Sequence, residues 1–300
     1  MNTTAPRVSV ILPTLDGAAT LPALLAGLAR AAAHTPLEIV AIDSGSRDRT
    51  PALLREAGAV LLDLGGRPFA HASARNRAAS TARGEMLLFV TQDVEPVGDM
   101  WLEPLLAALA APASAGAFGR QVPRGASPEE AFLVSANYGE TPRTLTSAAL
   151  AEPFGPGATW FSNAFGAMRR EVWERFPFPD IVMSEDQAWA RDVLRAGLQI
   201  RYVPDSAVHH GHRLSLRRAF RRNFDSGSSL EQLELTGGVW AAGLAHLAHE
   251  LRWIAREHGP RAVPHAVLYE TVRMIGFQCG RMERLLPCRV ARWLGEAPRG

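Results

Sequence analysis

Along the first hundred residues, short unbroken apolar runs alternate with apolar positions at helical spacing. Val8–Leu12 reads as a buried strand, Ala18–Arg30 as a helix and Leu37–Ile42 as a second strand. Thr50-Pro51 supplies a cap and a proline at the first helical position, and Gly58 closes that helix. Ala59–Leu62 predicts a third strand and Ser73–Arg83 a helix ended by Gly84. Glu85–Thr91, with the core MLLFV, predicts a fourth strand. This βαβαβαβ order implies an α/β fold, with a mostly parallel sheet and helices on both faces.

After Pro112 the pattern loosens. Ser127–Tyr138 reads as a helix, Leu145–Pro156 as a loop of small residues, Phe161–Met168 as a strand and Arg170–Phe176 as a short helix. Ser184–Ala196 is a helix ended by Gly197, and the strand Gln199–Val203 follows. From Leu216 onward only helical periodicity remains, broken at Gly237-Gly238, Gly259-Pro260 and Pro264. The expected organisation is a domain over 1–212, with halves at about 1–98 and 99–212, followed by a helical extension over 213–300.

Three hundred residues can bury a sizeable core, and 47% hydrophobic with 21% charged residues is ordinary for a globular chain. All 32 basic residues are arginine, which reads as genomic base composition. A net charge of +2 argues against a general nucleic-acid binder. The two cysteines, Cys279 and Cys288, form neither a disulfide framework nor a zinc site at that spacing, so a reducing cytoplasm is expected. Met1–Arg7 is polar, and the run Val8–Leu12 meets Pro13 and Asp16 too soon for a signal-peptide core. No stretch reaches the roughly 18 apolar residues of a membrane span.

In parallel sheets ligands bind beyond the carboxyl ends of the strands. The residues there are Pro13-Thr14-Leu15-Asp16-Gly17, Asp43-Ser44-Gly45-Ser46 and Thr91-Gln92-Asp93. Asp43 can accept from a base or a ribose, or can serve an ordinary strand-to-helix turn. Asp93 can hold Mg²⁺ or Mn²⁺ together with diphosphate oxygens, or can cap a turn ahead of Pro96. The chain has no G-x-G-x-x-G after its first strand and no G-x-x-x-x-G-K-[ST], which demotes dinucleotide oxidoreductases and P-loop hydrolases.

Three later features carry competing readings. Ser184-Glu185-Asp186-Gln187 fits a capping box, yet either acid could be a general base, with its pKa lowered by the helix N-terminus. His209-His210-Gly211-His212 places three histidines together, suited to a metal or a diphosphate. Arg213, Arg217 and Arg221 recur every four residues beside Arg218 and Arg222. That basic helix face would be solvated, bind a diphosphate or touch anionic lipid.

Together these pieces resemble the family 2 glycosyltransferases. Val10-Ile11-Leu12-Pro13-Thr14-Leu15-Asp16-Gly17 is similar to that family's opening P-T-Y-N-G strand end, and Asp43 through Thr50 to its D-D-G-S-x-D-x-T segment. Glu185-Asp186 matches its acidic pair. The rhamnosyltransferase-like members are nearer. The residues that carry this likeness are Ala74-Arg75-Asn76, Phe89 through Pro96, Gly119 through Arg124, His210-Gly211-His212, Phe220 through Gly227, and Gly280-Arg281 with Leu286-Pro287.

The resemblance implies the GT-A fold, Rossmann-like, and an inverting single displacement. It places Pro13, Thr14, Asp16, Asp43, Ser44, Arg75, Gln92 and Asp93 at the nucleotide sugar and a divalent cation, Mg²⁺ or Mn²⁺, at Asp93 with His210 or His212. Asp186 is the implied base, with Glu185 beside it. Two departures stand out: the D-x-D reads Thr91-Gln92-Asp93, and Asp43 is followed by Ser44 where the family has a second acid. The rhamnosyl-type members share both. The expected donor is therefore dTDP-L-rhamnose and the acceptor a saccharide or a lipid-linked one in surface polysaccharide synthesis. The Arg213–Arg222 helix would give peripheral contact at the inner face of the membrane. The competing expectations are a UDP-sugar donor such as UDP-galactofuranose or UDP-N-acetylhexosamine, and a catalytically silent membrane-surface or regulatory module.

Overall fold

Val8, Val10 and Leu12 pack toward one face of the first strand and Ile11 toward the other, all of them fully buried. A strand covered on both faces needs helices on both sides of its sheet. The computed structural model, which describes residues 6–66, 68–151, 161–233 and 239–297, has that arrangement.

The first half runs β1 (Val8–Thr14), α1 (Leu21–Ala32), β2 (Leu37–Asp43), α2 (Thr50–Glu56), β3 (Val60–Asp63), α3 (His71–Thr81) and β4 (Met86–Val90). The second half runs β5 (Glu95–Pro96), α4 (Glu103–Leu109), β6 (Ser114–Val122), α5 (Pro128–Asn137), β7 (Arg143–Leu145), β8 (Phe165–Arg169), α6 (Arg170–Arg175), α7 (Glu185–Arg195) and β9 (Gln199–His209). The helices α8 (Leu216–Gln232), α9 (Val239–Glu257), α10 (Val263–Arg281) and α11 (Cys288–Leu294) follow.

The strands form one sheet in the order β3-β2-β1-β4-β8-β6-β9-β5, with β7 also on β9. β1 to β4 pair in parallel, as do β6 and β9, while β8 is inserted antiparallel between β4 and β6. One apolar layer joins the sheet to α1 and α4 through Leu24, Leu28 and Leu105, and the other joins it to α3 and α7 through Ala78, Trp189 and Val193.

Several boundaries differ from expectation. The region after Pro112 contains the long central strand β6, whose sequence SAGAFGRQV hides it. Its small residues are required: a side chain at Gly119 would meet the Phe165 ring, and one at Gly116 the Trp189 ring. β8 starts at Phe165, so Phe161–Ala164 is a turn before the strand, and β9 continues past Val203 to His209. α8 starts at Leu216 with Ser215 as its cap, which leaves Arg213 outside the helix. Pro264 lies in the first turn of α10, where its missing N–H costs nothing, and so opens a helix. The expected loop Leu145–Pro156 begins with β7 and a 3₁₀ turn at Ser147–Ala151. Its remainder, like Gly237-Gly238, lies outside the described residues. Among the described residues no helix is long and apolar enough to cross a membrane.

Candidate active site

The loops beyond β1 and β2 are sewn together by their own polar groups. Thr14 donates to Asp43 at 3.0 Å, and Asp43 accepts from the backbone N–H groups of Gly45 and Ser46 at 3.1 and 2.8 Å. Asp16, at a left-handed φ of 46°, accepts from the Arg47 N–H at 2.8 Å, and its own N–H donates to Ser46. Gln92 reaches across from the end of β4, accepting from Leu15 N and donating to Leu15 O, both at 2.9 Å. A Cβ at Gly17 would meet the Gln92 amide and displace it from its two bonds to Leu15. Ser44 donates its N–H to Thr14 O, and Pro13 stands half-buried one residue before. The expected nucleotide residues Pro13, Thr14, Asp16, Asp43, Ser44 and Gln92 therefore meet in one loop cluster. Asp16, Asp43 and Gln92 are already engaged in shaping it.

Pairing of β5 with β9 brings the next group together. Glu95 is opposite His209, so Asp93, two residues earlier, faces the chain just after β9. His210 Nε2 lies 3.6 Å and His212 Nδ1 3.7 Å from the Asp93 carboxylate, and the two imidazole rings meet edge to face at 4.6 Å. Gly211 between them lies against Arg124 and Ala126, where a Cβ would sit 2.7 Å from a backbone oxygen. One ligand atom from each of Asp93, His210 and His212 lies within 4.8 Å of the others. Burial works to raise the Asp93 carboxyl, but its two imidazole neighbours hold it well below the usual carboxylate range. Burial, then the neighbouring His210, lowers His212 to about 4, so it offers a lone pair at neutral pH.

Gln121 on β6 sets the tautomer of His210. Its amide nitrogen donates to the Tyr138 hydroxyl at 2.7 Å and to Ser162 Oγ at 2.9 Å, while its oxygen faces His210 Nδ1 at 2.7 Å. With both amide hydrogens spent, that oxygen accepts, so Nδ1 carries a hydrogen and Nε2 is the ring nitrogen turned toward Asp93. One carboxylate and two imidazoles fit a divalent transition ion, and Mn²⁺ suits two nitrogen ligands better than Mg²⁺.

Across the turn before β8 lies the acidic pair. Ser162 touches Gln121, and the next residue, Asn163, donates through its side chain to Glu185 at 2.9 Å and through its backbone N–H to Asp186 at 3.3 Å. Three adjacent groups thus tie the histidine cluster to the start of α7. The expected capping box does not form there. Ser184 is left-handed (φ 64°) and makes no side-chain cap, and Gln187 donates to Phe161 O.

Glu185 and Asp186 differ sharply. Glu185 is buried against Arg75, whose guanidinium lies 2.7 Å away, so Arg75 is held in an ion pair with it. Burial alone would raise the Glu185 carboxyl, but Arg75 and His71 keep it below its ordinary value. Asp186 accepts two backbone N–H bonds, from Asn163 and Gln187. The helix N-terminus does not lower it as expected: burial, and next the Glu185 charge, push it up to about 7.

Sequence reading missed Gln121, Ser162 and Asn163 as site residues. The only signal was Gln121 inside a family-like segment, because the partners that join all three come from distant parts of the chain. Of the arginines after His212, Arg213 donates to Gly125 O, Arg218 to Glu296 and Arg221 to Gly295 O, so much of the expected basic face ties down the chain itself.

The sequence profile of glycosyl transferase family 2 matches residues 9–176, more than half of the chain. An O-antigen chain rhamnosyltransferase of Salmonella typhimurium, RfbN, is 27% identical over 96% of this chain and 93% of its own. The O-antigen chain rhamnosyltransferase WbaN of Salmonella anatum is 28% identical over 87% of this chain and 84% of its own. Among solved structures, a mannosyltransferase from Pyrobaculum calidifontis in complex with GDP-Man and Mn²⁺ superposes with a TM-score of 0.57. It is 20% identical and covers 97% of this chain and 79% of its own. Residues 1–349 of S. aureus TarS in complex with UDP-GlcNAc superpose with a TM-score of 0.55 at 16% identity, covering 93% of this chain and 92% of that one.

Proposed function

The chain belongs to glycosyltransferase family 2 and has the GT-A fold, and from this premise we propose that it moves L-rhamnose from dTDP-L-rhamnose to a saccharide or lipid-linked acceptor in surface polysaccharide synthesis. The observation that carries the reading is the tie through Ser162 and Asn163 between an Asp–His cluster and a carboxylate whose pKa is near neutrality. A leaving diphosphate needs positive charge on one side of the reacting carbon, and an acceptor hydroxyl needs a base on the other. In this reading residues 1–98 hold the donor, 99–212 the acceptor, and 213–300 form a helical extension.

In this reading the roles divide among a few residues. The Thr14, Asp16, Asp43, Ser44 and Gln92 loops, with Pro13, shape the nucleotide pocket. Arg75 acts one step behind, by fixing Glu185. Asp93, His210 and His212 would hold the divalent cation, which when bound neutralises charge on the departing diphosphate. Asp186 takes the proton of the acceptor hydroxyl as its oxygen attacks the anomeric carbon. In the same step the carbon–oxygen bond to the diphosphate breaks, and the diphosphate leaves with the electron pair. Inversion follows from this single displacement.

The names of the two Salmonella relatives support the donor sugar, and the acceptor reading places the enzyme against the inner face of a membrane, where lipid-linked acceptors are presented. The test is transfer with a panel of nucleotide sugars, together with thermal shift. A stabilising shift and product with dTDP-L-rhamnose are expected. A response confined to a UDP- or GDP-sugar would overturn the donor, and no transfer with any of them would overturn the reaction.

A further inference from the structure

Seven of the eleven large apolar side chains exposed among the described residues fall between Val267 and Trp293. They are not scattered at random around α10. That helix turns Ala266, Tyr269, Gly276 and Gly280 inward, the two glycines lying against the backbone of α8 at Phe220 and Phe224. Leu268, Ile275 and Met282, spaced seven apart, share the opposite face and stand 49%, 50% and 55% exposed. The chain then carries Leu285 at 77% exposure into α11. There the buried Ala291 faces inward, and Trp293, at 70%, is exposed next to Arg292 and one helical turn on from Arg289.

Charge decides what such a surface meets. Between His258 and Gly295 the exposed charged residues are Arg261, Arg284, Arg289 and Arg292, all cationic. The segment's two carboxylates are not opposed to them as free charges: Glu270 pairs with Arg273 at 2.6 Å, and Glu283 is half-buried. An aliphatic stripe with an exposed tryptophan and flanking arginines matches the interface of an anionic bilayer. Apolar groups enter the headgroup boundary there, indole sits at its depth, and guanidinium meets phosphate.

We propose that the outer face of α10, the turn at Leu285 and the outer face of α11 form the surface by which this enzyme docks on an anionic lipid membrane. The surface differs from the arginine run after His212, much of which is spent on intramolecular bonds. This proposal rests on the membrane-contact part of the functional reading and on none of its chemistry.

The test is flotation of the full chain with vesicles of phosphatidylcholine, with and without phosphatidylglycerol, at low and at high salt. Wild-type protein is expected to float with the anionic vesicles and to lose part of that binding in high salt. Leu285→Ser with Trp293→Ser should lower partitioning by about tenfold or more, from the lost apolar insertion. Arg284→Glu with Arg289→Glu should remove the preference for anionic lipid. Arg217→Gln, on α8, should bind as wild type does. These substitutions are at exposed positions, and an unchanged circular dichroism melt would show that the fold survives. If wild-type protein ignores both vesicle types, membrane contact itself fails. If it binds and the Leu285/Trp293 variant binds equally, the surface is elsewhere. If the free protein is a dimer that Leu285→Ser dissociates, the face joins two copies and the lipid assignment is overturned.

Discussion

Arg75 on α3 and Glu185 at the start of α7 form a buried ion pair at 2.7 Å, with side chains only 5% and 6% exposed. The pair divides the labour between two adjacent acids. Glu185 is neutralised by Arg75 and further held by Asn163, while Asp186 keeps only backbone donors and feels the Glu185 charge. The residue nearest neutrality is therefore Asp186.

Asp186→Asn is expected to lower turnover by about 10²–10⁴-fold, the usual value of a general base, with donor affinity unchanged. Single-turnover kinetics with saturating donor, together with a donor titration, separate the two effects. Near-normal turnover would remove Asp186 from the mechanism.

The pH dependence follows from the same carboxyl. Its folded pKa, about 7, lies above its ordinary value of 3.8, so the folded state holds the proton more tightly than the unfolded one. The stability it contributes is complete below about 3.8 and is lost as pH rises toward 7. Activity runs the other way, because only the ionised form accepts a proton. The rate should climb through pH 7 and level above it, while Asp186→Asn melts no lower than wild type at pH 8, and higher if anything. Rate profiles and melts across pH 5–9 check both signs.

Glu185→Gln is a folding lesion as much as an active-site one. It strands the Arg75 guanidinium without its counter-charge, and breaking a buried pair from one side costs about 3–5 kcal/mol. Denaturant unfolding should show that loss, and the double variant Arg75→Met/Glu185→Gln should recover part of it. A Glu185→Gln protein as stable as wild type would contradict the ion-pair account.

Gln121→Leu should weaken Mn²⁺ binding by about 10–100-fold, because His210 loses the acceptor that fixes its tautomer. Calorimetric metal titration without substrate reads this directly. Gln121→Glu keeps an acceptor for His210 and should bind metal better than Gln121→Leu, an ordering that a purely structural Gln121 would not produce.

Asp93→Ala removes the one carboxylate of the cluster and should abolish the metal dependence of donor binding. Calorimetry with donor, with and without Mn²⁺, is the check, and donor affinity that still responds to metal would place the cation elsewhere.

Much of the first half was legible from local pattern. Apolar runs at Val8–Leu12, Leu37–Ile42 and MLLFV mark strands because a strand buried on both faces must be apolar at every position. Thr50-Pro51 and Gly58 mark a helix because caps are chemical requirements of a helix end. The acidic strand ends and the His-Gly-His run were visible for the same reason: residue type and short spacing are written in the chain. Only the tertiary structure could supply the rest. β6 carries glycine at 116 and 119 because Trp189 and Phe165 press on it there, and those neighbours come from elsewhere in the chain. Asp93 meets His210 because β5 pairs with the end of β9. Arg75 finds Glu185 across 110 residues, and that contact decides which of two adjacent acids has its charge offset. Local periodicity reports which face of an element is apolar. Which distant groups share a low-dielectric pocket, and so whose charge is offset and whose is not, depends on how the elements pack.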